Sequence, residues 1–549
     1  MSKETNNNQK TAARGKVTAE EIPSAHWADH AADELIATHP NKEVFTCASG
    51  ISPSGVVHIG NFREVITVDF VVRALLDRGK QVHFIYSLDD YDALRKVPAN
   101  LPAQDLIASH MREAIGQAPD PYGDCPSYAA HFERAFEKEI AETGIAPHFI
   151  RQNEPYRACQ YAQGIQDALA NQKKIVEILN RFRTEPLPDN WWCVSIYCKT
   201  CGKDTTEIES WTPPTTLRYR CKVCKKDDQL DFSKEPGAKL LWRVDWPMRW
   251  AKEGVDFEPG GKDHSSQGGS FETGTHIVRE IWKREPPHYV QYDFVLAKGL
   301  GSKLSSSSGN LITLGEALEV YEPAVARWLF ASRKPNLDFS IAFDLDVMKA
   351  YDDFDRCERF AFGIEPGEEK KTKYERRIYE LSAVKRRGDR PYDAMPAQFP
   401  FRHLCNILQI HQGDLKKAQG YFAKSIRTAE DDERFHSRAA RAWRWITEFA
   451  PEEFKFALRA DGDAPPKTRF PDAVKEVIHR LKSGNFDHAP EDQIANELYE
   501  IMKRHQLEAK VFFQEIYTVL INKKNGPKLA SFFLAIGSAR AAEILERAL

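Results

Sequence analysis

The chain has 549 residues, of which 42% are hydrophobic and 29% charged, with a formal net charge of −3; that length predicts roughly three or four folded domains. The near-neutral balance excludes a protein that coats nucleic acid nonspecifically, a mode that needs a large basic excess, and leaves open RNA recognition through local patches. Ten cysteines are too few for a disulfide scaffold in a chain this long; no apolar run approaches a membrane span, residues 1–24 read as a flexible polar leader without a signal-peptide core, and a cytoplasmic protein is expected.

Glu43–Cys47 (EVFTC) has the β-branched and aromatic character of a buried strand, and the Gly, Ser and Pro that follow demand a sharp turn. Ile66, Phe70 and Leu75 recur near helical spacing, which predicts a helix opening close to His58–Asn61. The intervening stretch, Pro53-Ser54-Gly55-Val-Val-His58-Ile59-Gly60-Asn61, therefore lies at a helix N-terminus, where unpaired N–H groups attract phosphate and Gly55 and Gly60 permit close approach. His58 adds a ring N–H donor. A histidine that only caps the helix is the alternative.

Lys80–Tyr86 reads as a second strand, followed by Asp89, Asp90 and Asp92. Strand, helix, strand in this order is a parallel βαβ unit, whose ligands lie at the carboxyl ends of the strands. Gly55 and Asp89 then share one edge. The aspartates suit a substrate amine or ribose hydroxyls, or simply form the turn at a solvated strand end.

Residues 100–185 read mostly as helices, among them 132–142 and 158–182, and are expected to be an insertion between two halves of the sheet. From 186 to about 235 the texture changes, with Pro186, Pro188, Trp191 and Trp192 opening a small module. Its Cys198-Lys-Thr-Cys201 and Cys221-Lys-Val-Cys224 are two C-x-x-C turns 19 residues apart, the pattern of a zinc ribbon. Four thiolates leave no open coordination position, so the zinc would be structural.

The sheet is expected to resume over Lys239–Trp250, where Trp242 and Trp246, four apart, read as core packing. Glu258–Gly269 places Lys262, Asp263 and His264 in a glycine-rich frame, suited equally to a pocket wall or a solvent loop. Pro287–Leu296 reads as another strand. It feeds a loop of glycine and hydroxyl residues organised around one cation, Lys303, followed by Leu304, Ser305, Ser306 and Ser307.

Residues 311–353 turn helical, and the segment 370–390 is rich in Lys and Arg. Beyond 392, Phe401, Leu404, Cys405 and Leu408 share one helix face, as do Val474, Val477, Ile478 and Leu481, and Val511, Phe512, Ile516 and Leu520. Arg441, Trp443, Arg444 and Trp445 combine cations with stacking groups that suit unpaired bases, or else form an aromatic core with exposed arginines.

P-S-G-V-V-H-I-G-N at 53–61 resembles the HIGH signature of class I aminoacyl-tRNA synthetases, in the variant ending in Asn. K-L-S-S-S at 303–307 resembles their KMSKS signature, with Ser306 in place of the second lysine. Together with DDYDALRKVP at 89–98, the cysteine knuckles, WRVDWPMRW, EPGGKDHSSQGGSFETG and NKKNGPKLASFFLAIG, these segments resemble the class I lysyl-tRNA synthetases over residues 45–537.

That resemblance implies an α/β fold: a Rossmann-type parallel-sheet catalytic domain over 25–320, with halves at about 40–100 and 236–320 and helical and zinc-ribbon insertions between them. A connecting region at 321–380 and an all-helical anticodon-binding domain at 381–549 would follow. It implies activation of L-lysine by ATP with Mg2+ and transfer to the terminal adenosine of tRNA(Lys), by an enzyme expected to be a monomer. His58, Asn61 and Lys303 would be catalytic. Pro53, Ser54, Gly55, His58, Gly60, Asn61 and Lys303, Leu304, Ser305, Ser306 and Ser307 would bind ATP. Gly50, Ser52, Asp89, Trp242, Asp263, His264 and Tyr292 would surround the amino acid. A class I synthetase for arginine or glutamate shares the signatures; Asp89, Asp90, Asp245 and Asp263 favour a cationic substrate. A silent, regulatory tRNA-binding protein is the more distant alternative, disfavoured by the retained His58, Asn61 and Lys303.

Overall fold

The computed structural model describes residues 26–99, 101–299, 312–385, 393–484, 486 and 489–549. After a first helix, α1 (Trp27–Thr38), strand β1 (Val44–Ile51) leads to α2 (Ile59–Asp77) and returns in β2 (Gln81–Leu88). β1 and β2 pair in parallel, from Val44 with Gln81 to Ile51 with Leu88. A central parallel strand is covered on both faces; Phe45 and Cys47 are buried on one face of β1 and Thr46 and Ala48 on the other. α2 covers the sheet with Phe62, Val65, Ile66, Val68 and Leu75.

Helix α3 (Tyr128–Glu142) precedes β3 (His148–Arg151), which pairs in parallel with the other edge of β2. This strand lies inside the segment expected to be helical, so the sheet takes a member from it. At four residues, opening on His148, β3 is too short to display a period. Helices α4 (Ala162–Ala170) and α5 (Gln172–Asn180) complete the segment.

The cysteine module is a three-stranded antiparallel sheet of β5 (Thr206–Thr212), β6 (Thr216–Cys221) and β7 (Asp227–Asp231), set on the antiparallel pair β4 (Val194–Ile196) and β8 (Ala238–Leu240). The strand expected over Lys239–Trp250 is corrected here. Only Ala238–Leu240 is extended, and α6 (Trp242–Glu253) follows at once. Trp242, Trp246 and Trp250 stand one helical turn apart, and that period decided the conformation.

On the far side of β1, Phe257 bridges in parallel to Cys47 and His288 to Phe257. The same two segments continue as β9 (Gly260–Gly261), followed by α7 (Ser270–Trp282), and as β10 (Gln291–Tyr292), which pairs in parallel with β9. Pro287–Leu296 is thus a broken edge rather than one strand; it passes into β11 (Val295–Lys298).

Past the undescribed residues 300–311, α8 (Pro323–Ala331), β12 (Phe339–Ala342), α9 (Asp346–Ala361) and α10 (Glu369–Ser382) lead to α11 (Phe401–Ile410) and α12 (Ala429–Glu448). β12 pairs in parallel with β11. Five further helices end the chain, among them Pro471–Lys482, Glu491–Arg504 and Ala509–Ile521. One hydrophobic core runs from α1 through α2 to these last helices.

Buried ion pairs tie the helical region down. Arg438, fully buried on α12, bonds Asp355 through both terminal nitrogens at 2.8 and 2.9 Å and Glu322 at 2.8 Å. Arg327, also fully buried, pairs with Asp69 and donates to the carbonyls of Thr143 and Leu381. Of the two readings of the aromatic and arginine cluster, base contact or core, the structure shows core packing for Trp445 and leaves Arg444 on the surface. Trp445 is buried and donates to the Phe343 carbonyl, Arg441 donates to the carbonyls of Leu318 and Tyr321, Arg444 pairs with Glu319, and Trp443 packs on the core. The helical period had placed them on one helix but could not say which neighbour they meet.

Removing Arg438 leaves two buried carboxylates without their counter-charge, a loss of about 3–5 kcal/mol for such a group. Arg438→Ala is accordingly expected to lower the denaturant midpoint of the helical region, followed by tryptophan fluorescence; an unshifted midpoint would show that the cluster adds no net stability.

Candidate active site

A cavity of about 1450 Å³ opens where β1, β2 and β10 end. Its lining brings together Gly50, Ser52, Ser54, His58, Gly60, Asn61, Asp89, Trp242, Asp263, His264 and Tyr292. Of the described residues singled out for the substrates, Pro53 and Gly55 are not on the lining. A Cβ at Gly55 would meet only Pro98, at 3.8 Å, so nothing in its surroundings requires glycine.

His58 is the N-cap of α2. Its Nδ1 accepts the Gly60 N–H at 3.0 Å, which places the ring proton on Nε2. Burial holds the imidazole below its usual pKa and so neutral. Asn61 Oδ1 accepts the His58 N–H at 3.2 Å, completing a reciprocal capping box and reserving the Asn61 NH2 as a donor. Capping and donation are therefore compatible roles of one ring: the cap occupies one nitrogen and orients the other.

The expectation of open amides at this helix end is corrected. Ile59 N–H donates to the Ile312 carbonyl at 2.7 Å, Gly60 N–H to His58, and Asn61 N–H to the His58 carbonyl at 2.9 Å. The donors left for an anion are the side chains of His58 and Asn61. Gly60 serves the ring: a Cβ there would lie 2.8 Å from His58 Nδ1 and Cε1. Gly50 serves the sheet, since a Cβ would stand 2.8 Å from the Ser87 carbonyl oxygen.

The aspartates that suggested a cationic ligand are largely compensated within the chain. Asp89 is bonded by both terminal nitrogens of Arg249, at 2.7 and 3.2 Å. Asp92 pairs with Lys239 at 2.9 Å and accepts the Ser52 hydroxyl at 2.9 Å. Asp245 lies 3.3 Å from both Lys239 and Arg249 and accepts the Tyr156 hydroxyl. Asp90 accepts the Asn153 N–H at 2.6 Å and is absent from the lining, and Asp263 has a side chain 70% exposed.

Two carboxylates that the sequence reading did not assign are different. Glu64 on α2 accepts the Gly50 N–H at 3.0 Å and the Tyr292 hydroxyl at 2.6 Å. Glu258 accepts the indole N–H groups of Trp246, at 3.0 Å, and Trp250. Burial pushes both up to about 7. The signal for Glu64 was present: it is a carboxylate set between the buried Arg63 and Val65 and two residues from the buried Phe62 and Ile66, on a helix whose face packs the sheet. Trp242, 41% exposed, stacks on Trp246 at 5.5 Å and meets His264 edge-on at 5.4 Å, so it forms a wall of the site as well as packing on its neighbour.

Lys303, Leu304, Ser305, Ser306 and Ser307 lie outside the described residues. Both flanks of that segment line the cavity, through Val295–Ala297 on one side and Ile312 on the other, and Thr313 bridges to His58.

Away from the cavity, the four sulfur atoms of Cys198, Cys201, Cys221 and Cys224 lie within 4.8 Å of one another, with 3.7 Å between those of Cys201 and Cys221. Tetrahedral zinc with four Zn–S bonds of about 2.3 Å requires sulfurs about 3.8 Å apart. The knuckles share one backbone pattern. Cys198 N–H donates to the Lys203 carbonyl and Cys221 N–H to that of Lys226, both at 2.9 Å, while Gly202 and Lys225 hold equivalent left-handed positions at φ 71° and 58°. The donor set and its spacing fit zinc. A second group of metal-ligand type, Asp120, Asp124, Cys125 and His131, also converges within 4.8 Å; there Asp120 accepts the N–H groups of Tyr122, Asp124 and Cys125 and so shapes its own loop.

Residues 25–385 match the family model described as tRNA synthetases class I (K). A lysine–tRNA ligase of Borrelia garinii subsp. bavariensis is 45% identical over 530 residues, covering 96% of this chain and 100% of the relative. One from Treponema pallidum is 44% identical, covering 95% and 98%. One from Pyrococcus furiosus is 39% identical, covering 93% and 97%.

Cys221→Ser is expected to lower bound zinc by about one equivalent per chain, measured by elemental analysis. An unchanged zinc content would remove the thiolates as its ligands.

Proposed function

The chain belongs to the class I (K) tRNA synthetases, and from that premise we infer that it is a lysine–tRNA ligase, which activates lysine with ATP and joins it to tRNA(Lys). The observation that carries this reading is the identity of 45% over 96% of the chain to a ligase of that specificity. The paired His58 and Asn61 donors in the cavity support it.

In activation, the lysine carboxylate attacks the ATP α-phosphorus in line and pyrophosphate leaves. No protein nucleophile is needed, and catalysis rests on positioning and on charge stabilisation at the phosphate oxygens. His58 Nε2–H and the Asn61 amide donate to those oxygens. By family resemblance Lys303 would stabilise the charge growing at the α-phosphate and Leu304 and Ser305–Ser307 would contribute to ATP binding, and Mg2+, when bound, would offset charge on the triphosphate. Pro53, Ser54 and Gly55 shape the turn that delivers His58. Gly50, Ser52, Trp242, His264 and Tyr292 enclose the amino acid, with Asp89 and Asp263 at its margin. A hydroxyl of the terminal adenosine of the tRNA, by family resemblance the 2′-hydroxyl, then attacks the lysyl-adenylate.

The cavity exceeds the roughly 300–1,000 Å³ of a single small-molecule site, which leaves space for an RNA end beside the adenylate. We assign the helical region beyond residue 381 to the anticodon arm and the four-cysteine module to a structural zinc. Among the described residues no helix is long and apolar enough to cross a membrane.

Amino-acid-dependent pyrophosphate exchange, run with all twenty amino acids in the presence of tRNA, tests the assignment. Exchange with lysine alone is expected; exchange with arginine or glutamate instead would move the substrate. Lys303→Ala should slow adenylate formation more than about tenfold with unchanged melting temperature. His58→Asn keeps a good helix cap and removes the ring donor. It should lose about a hundredfold in exchange while staying folded, whereas retained exchange would leave His58 a cap and nothing more.

A further inference from the structure

We propose that Glu64 and Glu258 form the ammonium-binding end of the amino-acid pocket, where the ε-ammonium of the substrate is held between their carboxylates and the Ser49 hydroxyl. The proposal rests on the lysine–tRNA ligase reading and adds to it the residues that read the side-chain charge.

Charge accounting around the cavity leads to this pair. Asp89, Asp92 and Asp245 are matched by Arg249 and Lys239. Glu64 and Glu258 accept neutral donors only: a backbone amide and a phenol for one, two indoles for the other. Neither has a cation at ion-pair distance among the described residues. Both line a recess of about 110 Å³ that also takes in Ser49, Gly50, Trp242 and His264. Ser49 Oγ is buried there, with 1% of the residue exposed, and has no hydrogen-bond partner. A buried carboxylate without a counter-charge and an orphaned hydroxyl are both costly in a folded chain. One ligand group answers all of them: an ammonium carries one positive charge and three N–H donors. The Trp242 and Trp246 rings on the same recess suit the methylene stem. A substrate carboxylate would meet like charge and be rejected.

The pair also makes binding proton-linked. The titratable and charged groups facing it are Tyr86 and Asp89 from β2 and its end, Arg249 and Glu253 from α6, Asp263 and His264 from the loop after β9, and Tyr289 and Tyr292 from the β10 segment. Arg249, the one cation there, is already committed to Asp89. With both carboxyls held near 7 by burial, the protonated forms predominate below neutrality and cannot pair. As pH rises through about 7 the anions form and attract the ammonium, which itself stays charged to about 10.4. Lysine binding at pH 6.5 therefore releases protons, and lysine affinity rises from pH 6 to pH 8.

Calorimetric titration of lysine into the full chain with tRNA and a non-hydrolysable ATP analogue, at pH 6.5 in two buffers of different ionisation enthalpy, reads that release directly. A buffer-dependent heat showing net proton release is expected; no net release would overturn the proposal without any variant. In pyrophosphate exchange at pH 8, Glu64→Gln and Glu258→Gln should raise the lysine KM by about tenfold to a hundredfold, keep the ATP KM within twofold, and narrow the preference for lysine over norleucine. Wild-type exchange with lysine, together with an unchanged lysine KM in both variants, would overturn this assignment and leave the lysine reading standing. Absence of lysine exchange in the wild type would overturn both.

Discussion

The contact on which the site depends is the hydrogen bond from Gly60 N–H to His58 Nδ1. It ends the turn after β1, starts α2, and settles which ring nitrogen keeps a proton. Asn61 is locked by the reciprocal bond to the His58 backbone, and the Ile312 carbonyl accepts from Ile59 next door. The same few atoms thus start the helix, aim two donors into the cavity and anchor the chain just beyond the Lys303 segment. A helix end usually offers its amides to an anion. Here the amides are consumed in building the cap, and the donors that remain on the cavity lining belong to the two side chains so oriented.

Charge is divided in the site by the same economy of partners. Asp89, Asp92 and Asp245 lie with Lys239 and Arg249 in a buried network that joins Ser52, the end of β2, β8 and α6. Burying charges is tolerable only when each is matched, and that network is matched from within. It links the ends of β1 and β2 to β8 and α6. Lys239 closes the cysteine module and bonds Asp92, which holds Ser52, and Ser195, Tyr197 and Asp204 of the module line the cavity as well. Glu64 and Glu258 complete the contrast: they are built into the fold by neutral donors, which leaves their charge for a ligand to meet.

Legibility in the sequence followed the range of the interaction. The β1–α2–β2 unit was readable because its period, its turn residues and its cap are local, and the two C-x-x-C turns because metal spacing is local too. The strand predicted over Lys239–Trp250 failed because the four-residue spacing of Trp242, Trp246 and Trp250 is a helical period, and only Ala238–Leu240 is extended. β3 was invisible because four residues carry no period; its identity comes from the edge of β2 it pairs with. The aromatic and arginine cluster on α12 looked equally suited to RNA and to a core until the carbonyls of Leu318, Tyr321 and Phe343 were seen to accept its donors.

By itself the sequence determined the turn after β1, the helix that follows it, the four-thiolate site and the family these segments resemble, because each is specified by residues within one turn or one knuckle. Which of many acidic groups are matched by a cation was decided only by the tertiary structure. Charge in the sequence is a count of carboxylates, whereas charge in a site is what remains after distant partners, such as Arg249 for Asp89 across 160 positions, have been subtracted. That subtraction leaves Asp89, Asp92 and Asp245 matched within the chain and Glu64, on a helix face that local patterning reads as core, without a cation among the described residues.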